Sequence, residues 1–136
     1  MKRTIIALLA VAALIGAVVP AIAHHSFSAE FDNTKQVELK GFVSKIEWTN
    51  PHVWFYINVV DPGTGKQTRW GFEMGPPHGL QGQGWTRETM KIGDEVIVNG
   101  SRAKDGSNRG NARSVVLAKT GKRMGAASSE NQADQQ

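Results

Sequence analysis

The chain contains no cysteine. Disulfides, thiolate nucleophiles, thiol redox chemistry and cysteine-ligated metal sites are therefore excluded, and stability must come from packing. The chain also lacks an apolar run long enough to stay in a bilayer. Its main run, Ile5–Val19, covers 15 residues, against about 20 for a spanning helix. Charge of one sign is not in large excess: Lys and Arg number 16 and Asp and Glu 12 among 136 residues. Two of the basic residues, Lys2 and Arg3, stand at the very start, so from His24 onward the balance is 14 against 12. That difference gives no footing for nucleic-acid binding. No internal repeat is present.

What is there begins with a basic–apolar–small succession. Met1-Lys2-Arg3 precedes the apolar run, Pro20 breaks it, and Ala21-Ile22-Ala23 places small residues at the −3 and −1 positions of a cleavage site. This order is that of a secretory signal, so residues 1–23 are expected to be removed on export to the periplasm or beyond. No stable membrane anchor is expected. Cleavage after Ala23 leaves 113 residues starting at His24, enough for one domain with a modest core. Cleavage after Ala21 is the weaker alternative.

Glycine is frequent, at 15 of 136, and short alternating runs lie between closely spaced turn signals. This pattern predicts an all-β domain. An N-terminal segment, 24–36, leads into a domain over 37–118. The first strand is expected over Val37–Trp48. Its apolar phase slips after Val43, and a slip near Gly41 predicts a bulge or sharp bend. Strand two is expected over His52–Val60 and strand three over Gln67–Met74, with Asp61-Pro62-Gly63-Thr64-Gly65 as the turn between them. Gly75–Gly84 reads as a loop. A short helix should start at an N-cap Thr86, with Trp85 and Met90 as a hydrophobic staple. Strands four (Glu95–Asn99) and five (Ala112–Ala118) follow. Three strands, a helix and two strands is the order of an OB-fold, so the expected architecture is a small OB-like five-stranded barrel. Residues 119–136 are polar and read as a disordered tail.

Strand two has two different faces. Val53, Phe55, Ile57 and Val59 form the natural core side, while His52, Trp54, Tyr56 and Asn58 mix aromatic surface with hydrogen-bonding groups. OB-folds bind ligands on the strand two–three face. Trp54, Tyr56, Asn58 and Arg69 are therefore the candidate ligand-binding residues, with Gly71 and Glu73 beside them on strand three.

The four histidines, His24, His25, His52 and His78, all follow the signal. Neutral imidazole suits copper, zinc and nickel. A new N-terminus at His24 would add a free amine that loses its proton near neutral pH. All four histidines are candidate metal ligands, with copper favoured over zinc because the donors are nitrogen. The competing expectation is a metal-free module that docks a peptide, glycan or partner protein on the aromatic face.

Catalysis has little in its favour. Ser26 and Ser28 lie near histidines in sequence, but no nucleophile elbow surrounds them, and no carboxylate pair stands out. Gly79–Gly84 lacks the Gly-Lys-Ser/Thr ending of a phosphate loop. Asp105–Asn111 lacks the spacing of a calcium loop. The protein is expected not to be an enzyme.

Four segments carry a resemblance. They are His24-His25-Ser26-Phe27-Ser28-Ala29-Glu30-Phe31-Asp32, Glu47-Trp48-Thr49-Asn50-Pro51-His52-Val53-Trp54, Gly84-Trp85-Thr86-Arg87 and Arg102-Ala103-Lys104-Asp105-Gly106-Ser107. From about His24 to Leu117 the chain resembles a family of small exported proteobacterial proteins of unknown function. The resemblance implies export and a small β-barrel domain, and it carries no activity or established site. Gln81-Gly82-Gln83 departs from the family's usual loop, which weakens the case for His78 relative to the other histidines.

Overall fold

Alternating side chains and tight polar turns build most of the structure. The computed structural model describes residues 27–130. The expected signal segment, His24, His25 and residues 131–136 lie outside them. The elements run α1 (Phe27–Glu30), β1 (Phe31–Glu47), β2 (Trp54–Val60), β3 (Gln67–Glu73), α2 (Pro77–Gly82), β4 (Glu95–Ala103), β5 (Arg109–Leu117) and β6 (Lys122–Gly125).

The six strands form one sheet in the order β3-β2-β1-β4-β5-β6, with a further pairing between β3 and β5. All pairings are antiparallel except β3–β5, which is parallel and joins Gly71 to Arg109, Phe72 to Gly110 and Glu73 to Asn111. This last pairing returns the ladder on itself through β1, β2, β3, β5 and β4. The long first strand makes the circuit possible. Its first part, Phe31–Phe42, pairs with β4, and its second part, Phe42–Glu47, pairs with β2. The register slips between Val43 and Lys45, beside the change of phase legible in the sequence. At Gly41 the two strands approach so closely that a Cβ would lie 2.6 Å from the Asn58 carbonyl oxygen.

Strand two buries the face its alternation predicts. Val53, Phe55 and Ile57 are fully buried, while Val59 is only partly so. The core continues through Trp70, Phe72 and Met74, through Val96 and Val98, and through Ala112, Val115 and Leu117. Phe72 stacks between Phe55 and Trp70 at centroid distances of 5.7 and 6.0 Å. Each such buried ring contributes roughly 2–3 kcal/mol over leaving it in water.

Four expectations need correction. There are six strands, not five, among the described residues. The helix between β3 and β4 lies at Pro77–Gly82, in the segment read as a loop, with Pro at its first turn and Leu80 driven into the core. Proline is well suited to that position, because its missing N–H has no helical partner there anyway. Thr86–Met90 does not form a helix. It closes as turns instead, with the Thr86 amide donating to Thr89 Oγ1 and the Glu88 amide to Thr86 Oγ1. Trp85 and Met90, the expected staple pair, are both buried in the core, and the short chain between them bends to allow this. The fourth correction concerns the ends of the domain. Half of the expected N-terminal segment belongs to β1, and part of the expected tail forms β6. Met124 and Ala126 are buried, and the Trp85 indole donates to the Gly125 carbonyl at 2.7 Å. These anchors, together with the ladder to β5, hold a segment in which Met124 is the one large apolar residue.

Candidate functional site

The outward face of β2 carries Trp54, Tyr56 and Asn58, with His52 two residues before the strand, all half-buried. Register places Trp54 opposite Glu73, Tyr56 opposite Gly71 and Asn58 opposite Arg69. The parallel pairing then adds Arg109 beside Gly71 and Asn111 beside Glu73. The result is an outer surface three strands wide, and its two halves differ.

One half is open. Glu47, Trp54, Tyr56, Arg69, Gly71, Asn108 and Arg109 line a groove of about 490 Å³, within the usual range for small-molecule sites. Gly71 is its floor. A Cβ there would lie 2.9 Å from Tyr56 Cε1 and 3.9 Å from Trp54 Cζ3, so the Tyr56 ring packs directly on the Gly71 backbone, with Trp54 beside it. The Gly71 amide donates to the Asn108 carbonyl at 3.0 Å, which fixes the β4–β5 turn against the groove. The guanidinium of Arg69 lies over Tyr56 at 4.7 Å from the ring centre, and that of Arg109 lies over Trp54 at 5.1 Å. Such stacking holds an arginine flat and leaves its N–H edge available. At the far end Tyr56 Oη donates to Glu47 Oε2 at 3.2 Å, and the Lys45 ammonium donates to Oε1. The Lys45 hydrogen bond above all, with help from Tyr56, holds the Glu47 carboxyl below the usual glutamate range.

The other half is closed. Glu73 and Asn111 are buried there. Asn111 Nδ2 donates to Glu73 Oε1 at 3.0 Å, and Ser128 Oγ donates to Asn111 Oδ1 at 2.6 Å. Glu130 adds a clamp through Arg113, at 3.0 Å. The segment after β6 thus covers this part of the face. Burial pushes the Glu73 carboxyl above the usual glutamate range, and the nearby Glu30 charge adds to this. His52, the Asn111 hydrogen bond and Arg109 offset part of the shift. From the opposite side α1 wedges in: Phe27, Phe31 and Ala103 form a small cluster against which Trp54 packs. Glu30 stands 3.8 Å from Arg109.

The sequence-predicted residues separate accordingly. Trp54, Tyr56 and Arg69 come together in the groove. Asn58 does not join them; it lines a neighbouring cleft with Phe42 and Val60. His52 faces the carboxylate of Glu73, with Nδ1 to Oε2 at 3.5 Å. His78 is exposed on α2. His24 and His25 lie outside the described residues. Among the described residues no three of His, Cys, Asp or Glu are grouped to hold a metal ion. Sequence reasoning missed Glu47, Asn108 and Arg109. Arg109 reaches the groove only because β3 pairs with β5, which no local pattern announces. Glu47 shows a weak signal, as an acidic residue at the end of β1 beside an aromatic face.

Fold and site together define an all-β domain with an open aromatic–arginine groove on one sheet face. The chain belongs to a family of unknown function, DUF6152, whose model matches residues 11–113. No curated protein sequence matches it.

Proposed function

We propose that this is an exported, non-catalytic binding protein with an OB-like barrel, and that its ligand seats in the groove between Trp54, Tyr56, Arg69 and Arg109. The closed circuit β1–β2–β3–β5–β4 and the helix between β3 and β4 support the OB-like reading. Ligands of that fold sit on the strand two–three face. The observation that carries the proposal is an open groove in which two guanidinium groups lie over two aromatic rings. These groups are already held in place without a ligand, so binding need order few side chains.

Chemical-shift mapping of the purified protein against small sugars, short peptides and organic acids, with a chelator present, tests this. Saturable shifts are expected at the Trp54 indole N–H and the Gly71 amide. Hits confined to the Phe42–Val60 cleft, or spread over the surface, overturn the reading.

One observation favours a second reading, in which copper binds through His24, His25 and His52. Phe27 packs in the cluster that touches Trp54, so position 25 is only two residues from a point fixed beside the start of β2. His52 and Glu73 offer donors there. His78 has no comparable neighbour and drops out of this donor set, and zinc remains the weaker metal choice. In a copper titration of protein whose N-terminus has been verified by mass, H24A and H52A should each weaken binding. Unchanged affinity in both ends this reading and leaves the groove untouched.

A further inference from the structure

The charges around the groove do not balance. Three of its lining residues are charged: Arg69, Arg109 and Glu47. Glu47 is already engaged by Lys45 and Tyr56. Among the described residues Arg109 has one carboxylate within ion-pair distance, the half-exposed Glu30 at 3.8 Å, while Glu73 and Asp105 lie close enough to feel its charge. For Arg69 no carboxylate lies within ion-pair distance among the described residues; its guanidinium rests on Tyr56 instead. The two arginines stand on one face on either side of the Gly71 position, Arg69 two residues away along β3 and Arg109 across the parallel pairing.

We infer that the groove is a site for a small organic anion whose carboxylate or phosphate is taken by Arg69 and Arg109 while its apolar body lies against the Trp54 and Tyr56 side chains. This rests on the groove reading above and adds the chemistry of the ligand. Guanidinium groups bind both oxyanions through paired N–H donors. Each of the two arginines already rests over an aromatic ring, so less freedom is lost when they bind.

The test is a chemical-shift titration of the purified protein with four probes: benzoate, phenyl phosphate, inorganic phosphate and benzyl alcohol. Benzoate or phenyl phosphate should shift the Nε–H signals of Arg69 and Arg109 and the Trp54 indole N–H in one saturable process. Which of the two binds more tightly distinguishes carboxylate from phosphate. Inorganic phosphate should bind more weakly, and benzyl alcohol should leave the arginine signals unmoved. R69Q and R109Q should each lower affinity roughly tenfold, while R87Q, an exposed arginine in a turn, should leave it unchanged. Added salt should weaken binding. Benzyl alcohol binding the groove as well as benzoate does would overturn the anion inference and leave the binding groove intact. Inorganic phosphate binding as tightly as phenyl phosphate would overturn the role given to the rings. Silence of the groove toward all four probes would overturn both the inference and the reading beneath it.

Discussion

Gly71 lies directly beneath the ring of Tyr56, and a methyl group placed on it would meet Tyr56 Cε1 at 2.9 Å. Gly71→Ala should therefore push the ring away and block the floor of the groove. The ring is half-exposed and can swing outward, so the stability loss should be modest, about 1 kcal/mol by urea denaturation. The change in the Tyr56 ring signals should be large. An alanine variant with wild-type Tyr56 shifts would mean the close approach does not exist in solution.

Glu73 gives the protein a pH dependence of definite sign. Its carboxyl is held above the ordinary glutamate range, chiefly by burial. The ionised form is thus less welcome in the folded state than in the unfolded one. The contribution to stability is fully present below the ordinary glutamate value and is lost as pH rises through the raised one. Glu73→Gln can still accept from Asn111 and carries no charge. Urea midpoints of the variant should match wild type in acid, near about pH 4, and exceed them increasingly toward neutrality. A variant that instead weakens as pH rises would show that His52 and Arg109 outweigh the desolvation.

The Trp85 indole ties the turn region to β6 through its bond to the Gly125 carbonyl. Trp85→Phe keeps most of the buried ring but leaves that carbonyl without its donor. A loss of about 2 kcal/mol is expected, part from the hydrogen bond and part from the smaller ring. Hydrogen exchange should rise most at the β6 amides. Uniform acceleration across all strands would argue against this local role.

Phe27 anchors α1 against Phe31 at 5.7 Å between ring centres, within the cluster that touches Trp54. Phe27→Ala should cost about 3 kcal/mol, the lower end of the range for a buried phenylalanine, because the cluster is small and peripheral. Trp54 should become more exposed, with its fluorescence moved to longer wavelength. Unchanged emission would show that α1 does not shield Trp54 in solution.

How far the sequence could be read depends on how locally each feature is encoded. The alternation of Val53, Phe55 and Ile57 against Trp54 and Tyr56 is a property of neighbouring residues, and the buried and outward faces follow it directly. The slip after Val43 is equally local, and the bulge lies there. The helix was misplaced because a glycine- and proline-rich composition suggests a loop, whereas Leu80 in the core and Pro77 at a helix start decide otherwise. β6 was missed because only Met124 among its residues is buried, and the strand is held by pairing with β5 and by a distant indole. In the groove, Trp54, Tyr56 and Arg69 lie on two consecutive strands and could be paired by inspection. Arg109 arrives through a parallel contact between strands separated by α2, two turns and β4. Long-range pairing of this kind is set by the whole chain and leaves no trace in any short window.

The hold of Met124, Ala126 and the Gly125 carbonyl on Trp85 has a kinetic side. Until residues 122–128 emerge from the ribosome, the indole has no acceptor and the buried Asn111 has no serine donor. A nascent chain that stops at Ala118 therefore cannot finish its interior. Final closure waits for the last residues of the domain to be made.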